Sequence, residues 1–340
     1  MRFCGAALAG ASAILAASAA LAAEPITLRL ADNLPPTHFL AKYGTHYFME
    51  EVTKATNGQV KFEYFPAEQV GKAKDMLALT QSGVVDIALI VPSYISDKLP
   101  LSAVVDLPGS FGSSCEGTLA YWKTARDGWF AKNEFQPNGV RVVFTYVNPP
   151  YELFLSKEGA IRLEDVKGRK IRSVGGALDI TLRSLGAVPV RLTAPEIRES
   201  LSRGTVDGIV FPVPTVTSYK LEGLIKSVTV GANLAGTATT YSINEARWKK
   251  LPEAVQKAIM EVGDATTRRV CKMTDDDVAK SYETFRQQGM TITRLGADDQ
   301  KILDGVYQQA RRDWAAGLDR RGKPGSEALK VFSEALAAAK

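Results

Sequence analysis

The sequence predicts an α/β fold arranged as two domains, and three observations carry that reading. Strand-like and helix-like stretches alternate from residue 26 onward, the pattern of a parallel sheet flanked by helices. The run VVDIALIV (84–91) is almost continuously apolar, as a strand covered on both faces must be. The chain has 340 residues, which at about 100–200 residues per domain gives two domains, yet no Gly/Ser-rich or Pro-rich linker separates two halves. Two domains without a linker require a chain that crosses between them more than once. The crossings fall at VNPPYE (147–152) and in the stretch before TATTYSIN (237–244).

Each element has a local reason. ITLRLA (26–31) alternates apolar and polar residues as a strand does. Pro35 and Pro36 bar a helix from the loop that follows. Apolar positions at helical spacing run from Leu40 to Ala55, and Asn57-Gly58 then turns the chain into a second strand, VKFEYF (60–65). A helix over 73–83 closes at Gly83. SAVVDL (102–107) reads as a strand, Glu116 to Lys132 as a helix, and VRVVFTYV (140–147) as a long strand. Strands follow at 152–156 and 170–174 around a polar turn at 163–168. Helices at 177–185 and 194–203 enclose a brief strand, VPV, and VDGIVFPV (206–213) is a strand stopped by its prolines. After a strand at 237–244 the chain is helical from Pro252 to its end, broken near Gly289, Gly296 and Gly322–Gly325.

Residues 1–22 read as a secretory signal peptide. Met1-Arg2 is a short basic start, Gly5 to Ala23 is nearly all Ala, Leu, Gly, Ser and Ile, and ALAA (20–23) supplies the small residues of a cleavage site near Ala22. No later apolar run reaches the roughly 20 residues that span a bilayer. The expectation is an exported, periplasmic protein. Net charge is +5 with the signs mixed along the chain, and no basic tract is interleaved with aromatics, so nucleic acid is not an expected partner. Beyond the leader, Cys115 and Cys271 read as buried free thiols, although an oxidising compartment permits a bond between them.

Catalytic and cofactor patterns find no match. There is no G-x-S-x-G elbow, HExxH or P-loop, and the adjacent Gly175 and Gly176 do not fit G-x-G-x-x-G. His38 and His46 are not at a ligand spacing with other His or Cys. The run Asp275-Asp276-Asp277 lacks EF-hand spacing and reads as a solvated helix face. No enzyme activity, metal or cofactor is expected.

LEDVKGRKIRSVGGALDITLRSLGAVPVRLTAPEIRESLSRGTVDGIV (163–210) resembles the signature of the DctP-type periplasmic solute-binding proteins of TRAP (tripartite ATP-independent periplasmic) transporters. The matching features are a polar turn, the strand Lys170-Ile171-Arg172, a helix, Leu185-Gly186-Ala187 with Pro189-Val190, a second helix, and Gly204-Thr205-Val206-Asp207-Gly208. FPAEQVGKAKDMLALTQSGVVDIAL (65–89) and NEARWKKLPEAVQKAI (244–259) are similar to two further family stretches, so the resemblance covers essentially the whole chain after the leader. It implies a two-lobed periplasmic binding protein fold with β-strand crossovers and a long C-terminal helix packed across both lobes. It also implies a monomer that holds a small organic acid in the cleft and hands it to a small and a large TRAP membrane subunit. On that pattern lobe I comprises 23–148 with 237–277, and lobe II comprises 149–236 with 278–340.

Within the resemblance, Arg172 matches the arginine that takes the ligand carboxylate. A guanidinium can form two parallel hydrogen bonds to a carboxylate, and this one stands near a strand end, where open α/β sheets bind ligands. The alternative is a structural arginine at a sheet edge or paired with Asp179. Many family members carry a second arginine on the preceding strand, and here Glu152 takes that place, facing the pocket, turned to solvent, or paired with Arg172. An acid in the pocket disfavours a dicarboxylate, because two like charges at ~4 Å and an effective dielectric of ~20 repel by about 4 kcal/mol. Phe211 stands where the family often has a polar Asn, and Tyr94, Tyr146 and Tyr151 lie at ends of strands or loops that can face the cleft. Such aromatics suit an apolar or aromatic acid. His38 is either a neutral donor to the ligand or an unengaged loop residue. The expected ligand is a small organic acid, a monocarboxylate before a C4-dicarboxylate. A ligand-sensing signalling protein and an exported enzyme are the alternatives.

Overall fold

The computed structural model describes residues 25–157, 159 and 161–339, and the expected signal peptide lies outside them. The chain opens with β1 (Ile26–Ala31), α1 (Tyr47–Ala55), β2 (Val60–Phe65), α2 (Met76–Gln81) and β3 (Ile87–Ile90). β1 lies between β2 and β3 and runs parallel to both, with α1 and α2 as the crossovers that parallel pairing requires. α3 (Ser114–Ala125) and β4 (Val140–Val147) follow. The chain then leaves lobe I to build β5 (Tyr151–Leu155), β6 (Lys170–Ser173), α4 (Gly176–Ser184), β7 (Val188–Arg191), α5 (Ile197–Ser202), β8 (Gly208–Pro212), α6 (Val213–Ser218) and β9 (Ser227–Val230). It returns as β10 (Ala238–Asn244), which inserts antiparallel between β3 and β4. α7 (Glu245–Trp248), α8 (Glu253–Gln287), β11 (Thr291–Arg294), α9 (Ala297–Asp319) and α10 (Gly325–Ala337) complete the chain.

The result is two sheets, ordered β2-β1-β3-β10-β4 and β11-β9-β5-β8-β6-β7. Each is covered on both faces by its own apolar clusters. The two crossings run side by side and hydrogen-bond to each other: Asn148 N donates to Thr237 O (3.1 Å), Tyr151 N to Ala235 O (2.8 Å) and Leu234 N to Tyr151 O (2.9 Å). Pro149 and Pro150 have no N–H to add to this ladder, so it stays short. α8 has 35 residues and is about 50 Å long. Val255, Ile259 and Val270 pack it against lobe I, and Phe285 meets Phe154 of lobe II edge to face. Among the described residues no helix is long and apolar enough to cross a membrane.

Several expectations are corrected. Cys115 and Cys271 are bonded, with Cα atoms 4.7 Å apart, because α3 packs along α8. Within the run 275–277 Asp276 is exposed, whereas half-buried Asp275 also accepts from the backbone N–H groups of Ser114 (2.7 Å) and Cys115 (3.0 Å) at the start of α3. SAVVDL is no strand. Residues Ser102–Asp106 form a buried 3-10 turn, held by Glu134, which accepts from Ser102 N (2.8 Å). The C-terminal region divides between the lobes: Leu303 and Tyr307 of α9 pack with lobe II, whereas Trp314, Phe332 and Leu336 pack with lobe I. The short strands β9 and β11 and the helix α6 were not foreseen.

Gly263 marks the closest approach of α8 to the sheet. A Cβ there would lie 1.8 Å from the Val143 carbonyl oxygen, whereas one on Gly305 of α9 would meet nothing within 4 Å. Gly263→Ala is expected to lower stability by about 1–3 kcal/mol through overpacking. Gly305→Ala is expected to raise it by about 0.4–1 kcal/mol through reduced chain entropy. Denaturant titration of both variants checks the contrast, and equal effects contradict it.

Candidate functional site

Arg172 lies on β6, between β8 and β7, and is fully buried. Its Nε donates to Leu192 O (3.0 Å) and its Nη1 to Val210 O (3.2 Å), and its guanidinium carbon stands 5.2 Å from the Phe211 ring centre. It forms no ion pair with any described residue. Asp179, the acid considered for it, instead pairs with Arg191 (2.7 Å) and accepts from Ser173 Oγ (2.6 Å). Gly175 (φ 94°) and Gly176 (φ 55°) both lie in the left-handed region, so glycine is required there by the turn from β6 into α4.

Against Phe211, whose ring also meets Arg172, a small cavity lies between the lobes, with about 40 Å3 open to the centre of a water molecule. Tyr94, Tyr151, Phe211 and His38, all expected at the site, line it, as does Tyr146. His38 and Tyr219 meet edge to face across the lobes, 5.5 Å between ring centres. His38 Nδ1 accepts from Leu40 N (3.0 Å), which leaves the proton on Nε2. Burial pushes its pKa down to about 3, so the ring is neutral. Burial pushes the Tyr94 and Tyr151 hydroxyls up, and the Arg172 charge opposes that push on both. A larger groove on the outside of lobe II, by Arg162 and Arg183, is open to solvent.

Glu152 does not face this cavity. Tyr151 and Glu152 are neighbours on β5 and point to opposite faces of the sheet, so the expected placement was one residue out of step. Its buried carboxylate accepts from Thr229 Oγ1 (2.6 Å), Gly231 N (2.9 Å) and Ala232 N (3.0 Å). Glu152 thus anchors the segment that leads into the second crossing, and the repulsion argument against dicarboxylates loses its basis.

The sequence reading missed Asn33, Thr215, Tyr219 and Asp106. Asn33 and Thr215 line the cavity, and each has a buried polar atom without a hydrogen-bond partner. Asn33 was findable, because it lies two residues past the end of β1 and strand ends are where such sheets bind ligands. Its neighbour Asp32 fixes that loop by accepting from Tyr64 OH (2.8 Å), Leu34 N (3.0 Å) and Thr45 Oγ1 (3.3 Å). Burial raises the Asp32 pKa to about 6. Asp106 sits where lobe I meets the first turn of α4. Its Oδ2 accepts from Ser93 Oγ (2.6 Å), its Oδ1 has no partner, and burial pushes its pKa up to about 8.

These shifts fix a pH dependence. A carboxyl whose pKa is raised by folding binds its proton more tightly when folded, so stability falls as pH rises toward the folded pKa. His38 acts in the opposite sense, but only below its ordinary value of 6.5. Between pH 6.5 and 8 Asp106 and Glu134, whose pKa burial lifts to about 7, give a falling slope, and burial raises the Glu152 pKa in the same sense. The melting temperature of ligand-free protein is expected to fall across that range, and Asp106→Asn to flatten the fall. An unchanged slope in the variant contradicts a buried, protonated Asp106.

Known proteins share this architecture. The chain is 27% identical over 339 residues to the outer membrane transporter protein TsaT of Comamonas testosteroni, covering 99% of this chain and 98% of that one. It is 26% identical over 338 residues to the C4-dicarboxylate-binding periplasmic protein DctP of Rhodobacter capsulatus, covering 97% of each. Its fold matches a TRAP solute binding protein of Rhodoferax ferrireducens crystallised with copurified benzoate, at a TM-score of 0.85 and 23% identity over 92% of this chain and 98% of that one. A TRAP periplasmic solute binding protein of Bordetella bronchiseptica with bound (R)- and (S)-mandelate matches at 0.83 and 24% over 93% and 100%. The family model of DctP matches residues 30–316, a span that takes in both sheets, both crossings and Arg172, and the chain therefore belongs to that family, the bacterial extracellular solute-binding proteins of family 7.

Proposed function

We propose that the protein captures a small organic monocarboxylate between its lobes in the periplasm and delivers it to a TRAP membrane complex of a small and a large subunit. One observation carries the reading: Arg172 is fully buried without a carboxylate partner, against the Phe211 wall of a small aromatic-lined cavity between the lobes. A buried, uncompensated charge costs several kcal/mol, and an anionic ligand supplies the missing partner. Arg172 stands against Phe211 of the cavity wall, and no Arg or Lys is among the described residues that line the cavity itself, which suits one carboxylate rather than two. Tyr94, Tyr151 and Phe211 offer ring faces to an apolar or aromatic body. The benzoate and mandelate held by proteins of the same fold are acids of this kind.

Capture requires that the lobes part, since the cavity is small and His38 and Tyr219 meet across the lobes at its wall. The paired crossings at 148–151 and 234–237 are the hinge, with few residues to absorb the rotation. We read the protein as a monomeric carrier rather than an enzyme, secreted by cleavage near Ala22. Recovering the acid unaltered after incubation with purified protein tests the absence of turnover.

Arg172→Ala is expected to weaken acid binding by about 2–5 kcal/mol, the usual cost of removing one partner of a buried charge pair. Titration calorimetry with benzoate, mandelate and succinate reads this. Wild-type protein is expected to bind at least one of the monocarboxylates and to reject succinate. Unchanged affinity in a folded Arg172→Ala variant, or binding of succinate alone, overturns the reading.

A further inference from the structure

Among the described residues, two buried side-chain polar atoms without a hydrogen-bond partner belong to this one cavity: Asn33 Oδ1 and Thr215 Oγ1. Tyr146 also lines it, but its hydroxyl lies on the far side, beside Thr274 and Ser114. Asn33 and Thr215 are 4% and 5% exposed, so bulk water does not serve them. Buried polar groups in folded proteins are nearly always paired, and a cluster of exceptions at one cavity calls for an absent partner. A carboxylate cannot be that partner for both. It only accepts hydrogen bonds, and Asn33 Oδ1 needs a donor. The carboxylate is, moreover, already assigned to Arg172. A hydroxyl both donates, to Asn33 Oδ1, and accepts, from Thr215 Oγ1.

We infer that the ligand is a hydroxylated acid, and that Asn33 of lobe I and Thr215 of lobe II are the residues that select for its hydroxyl. This inference rests on the reading of the Arg172 cavity as a carboxylate site. Asn33 is held by the hydrogen-bonded loop around Asp32, and Thr215 by the single short helix that follows Phe211. The two therefore arrive from opposite sides of the cleft. A ligand that engages both gains contacts only when the lobes are shut, so the hydroxyl would favour closure as well as affinity. An ordered water is the rival occupant, since the cavity is polar and large enough for one.

Matched pairs of acids decide between them: benzoate with 3-hydroxybenzoate, and phenylacetate with mandelate. Titration calorimetry on wild-type protein is expected to show at least one hydroxylated member binding about tenfold more tightly than its parent, the scale of one well-made buried hydrogen bond. In Thr215→Val and in Asn33→Leu that ratio is expected to fall towards one. Both variants remove an unpartnered buried polar atom, so their ligand-free melting temperatures are expected to stay level or rise, which separates loss of selectivity from loss of fold. Parent acids that bind as well as their hydroxylated partners, or variants that keep the wild-type ratio, overturn the inference and leave the cavity to water. Failure of every acid to bind folded wild-type protein overturns the carboxylate reading itself, and this inference with it.

Discussion

Holding a guanidinium inside a protein without an anion is unfavourable, and the arrangement around Arg172 shows how this chain tolerates it. Two backbone carbonyls, of Leu192 and Val210, accept from the guanidinium, and the Phe211 ring lies over it. Carbonyl dipoles and an aromatic face offer partial negative charge, enough to orient the group and too little to neutralise it. The charge is thus kept planar, fixed and unsatisfied. A guanidinium already held in this way need not be reoriented by an incoming carboxylate, which lowers the cost of binding one.

The rest of the molecule serves that condition. An anion and a cation attract strongly only where water is excluded, so the cavity has to close. Closure comes from two lobes joined by paired crossings, with α8 laid along both as a common brace. His38 and Tyr219 meet across the lobes at the cavity wall, and a neutral His38 adds no charge to it. Asp106 meets the start of α4 at the same seam, where burial pushes its pKa up to about 8 and the Arg172 charge opposes that push.

Much of this was legible in the sequence, and the misses have physical causes. The strands β1, β2, β4 and β10 announced themselves by alternation or by apolar runs, and the crossings by the missing linker. Arg172 was legible because its strand, glycine pair and helix form a contiguous motif. Glu152 failed on parity: one residue of register turns a side chain to the other face, and no local signal fixes register to that accuracy. The valines of SAVVDL suggested a strand, but Glu134 and tertiary burial hold them in a 3-10 turn, an instance of context overriding propensity. Cys115 and Cys271 stand 156 residues apart, and only the packing of α3 on α8 brings them together. Thr215 was hidden because VPTVTS, rich in β-branched residues, reads as the end of a strand rather than as a helix.

The most direct test of the account is a crystal structure of the protein with a bound aromatic monocarboxylate. The account predicts a carboxylate within about 3 Å of the Arg172 guanidinium nitrogens, with the ring between lobes closed by His38 and Tyr219. A carboxylate seated instead at the outer mouth of the cleft, among Lys42, Lys220 and Lys280, with Arg172 still bonded only to the Leu192 and Val210 carbonyls, would contradict it.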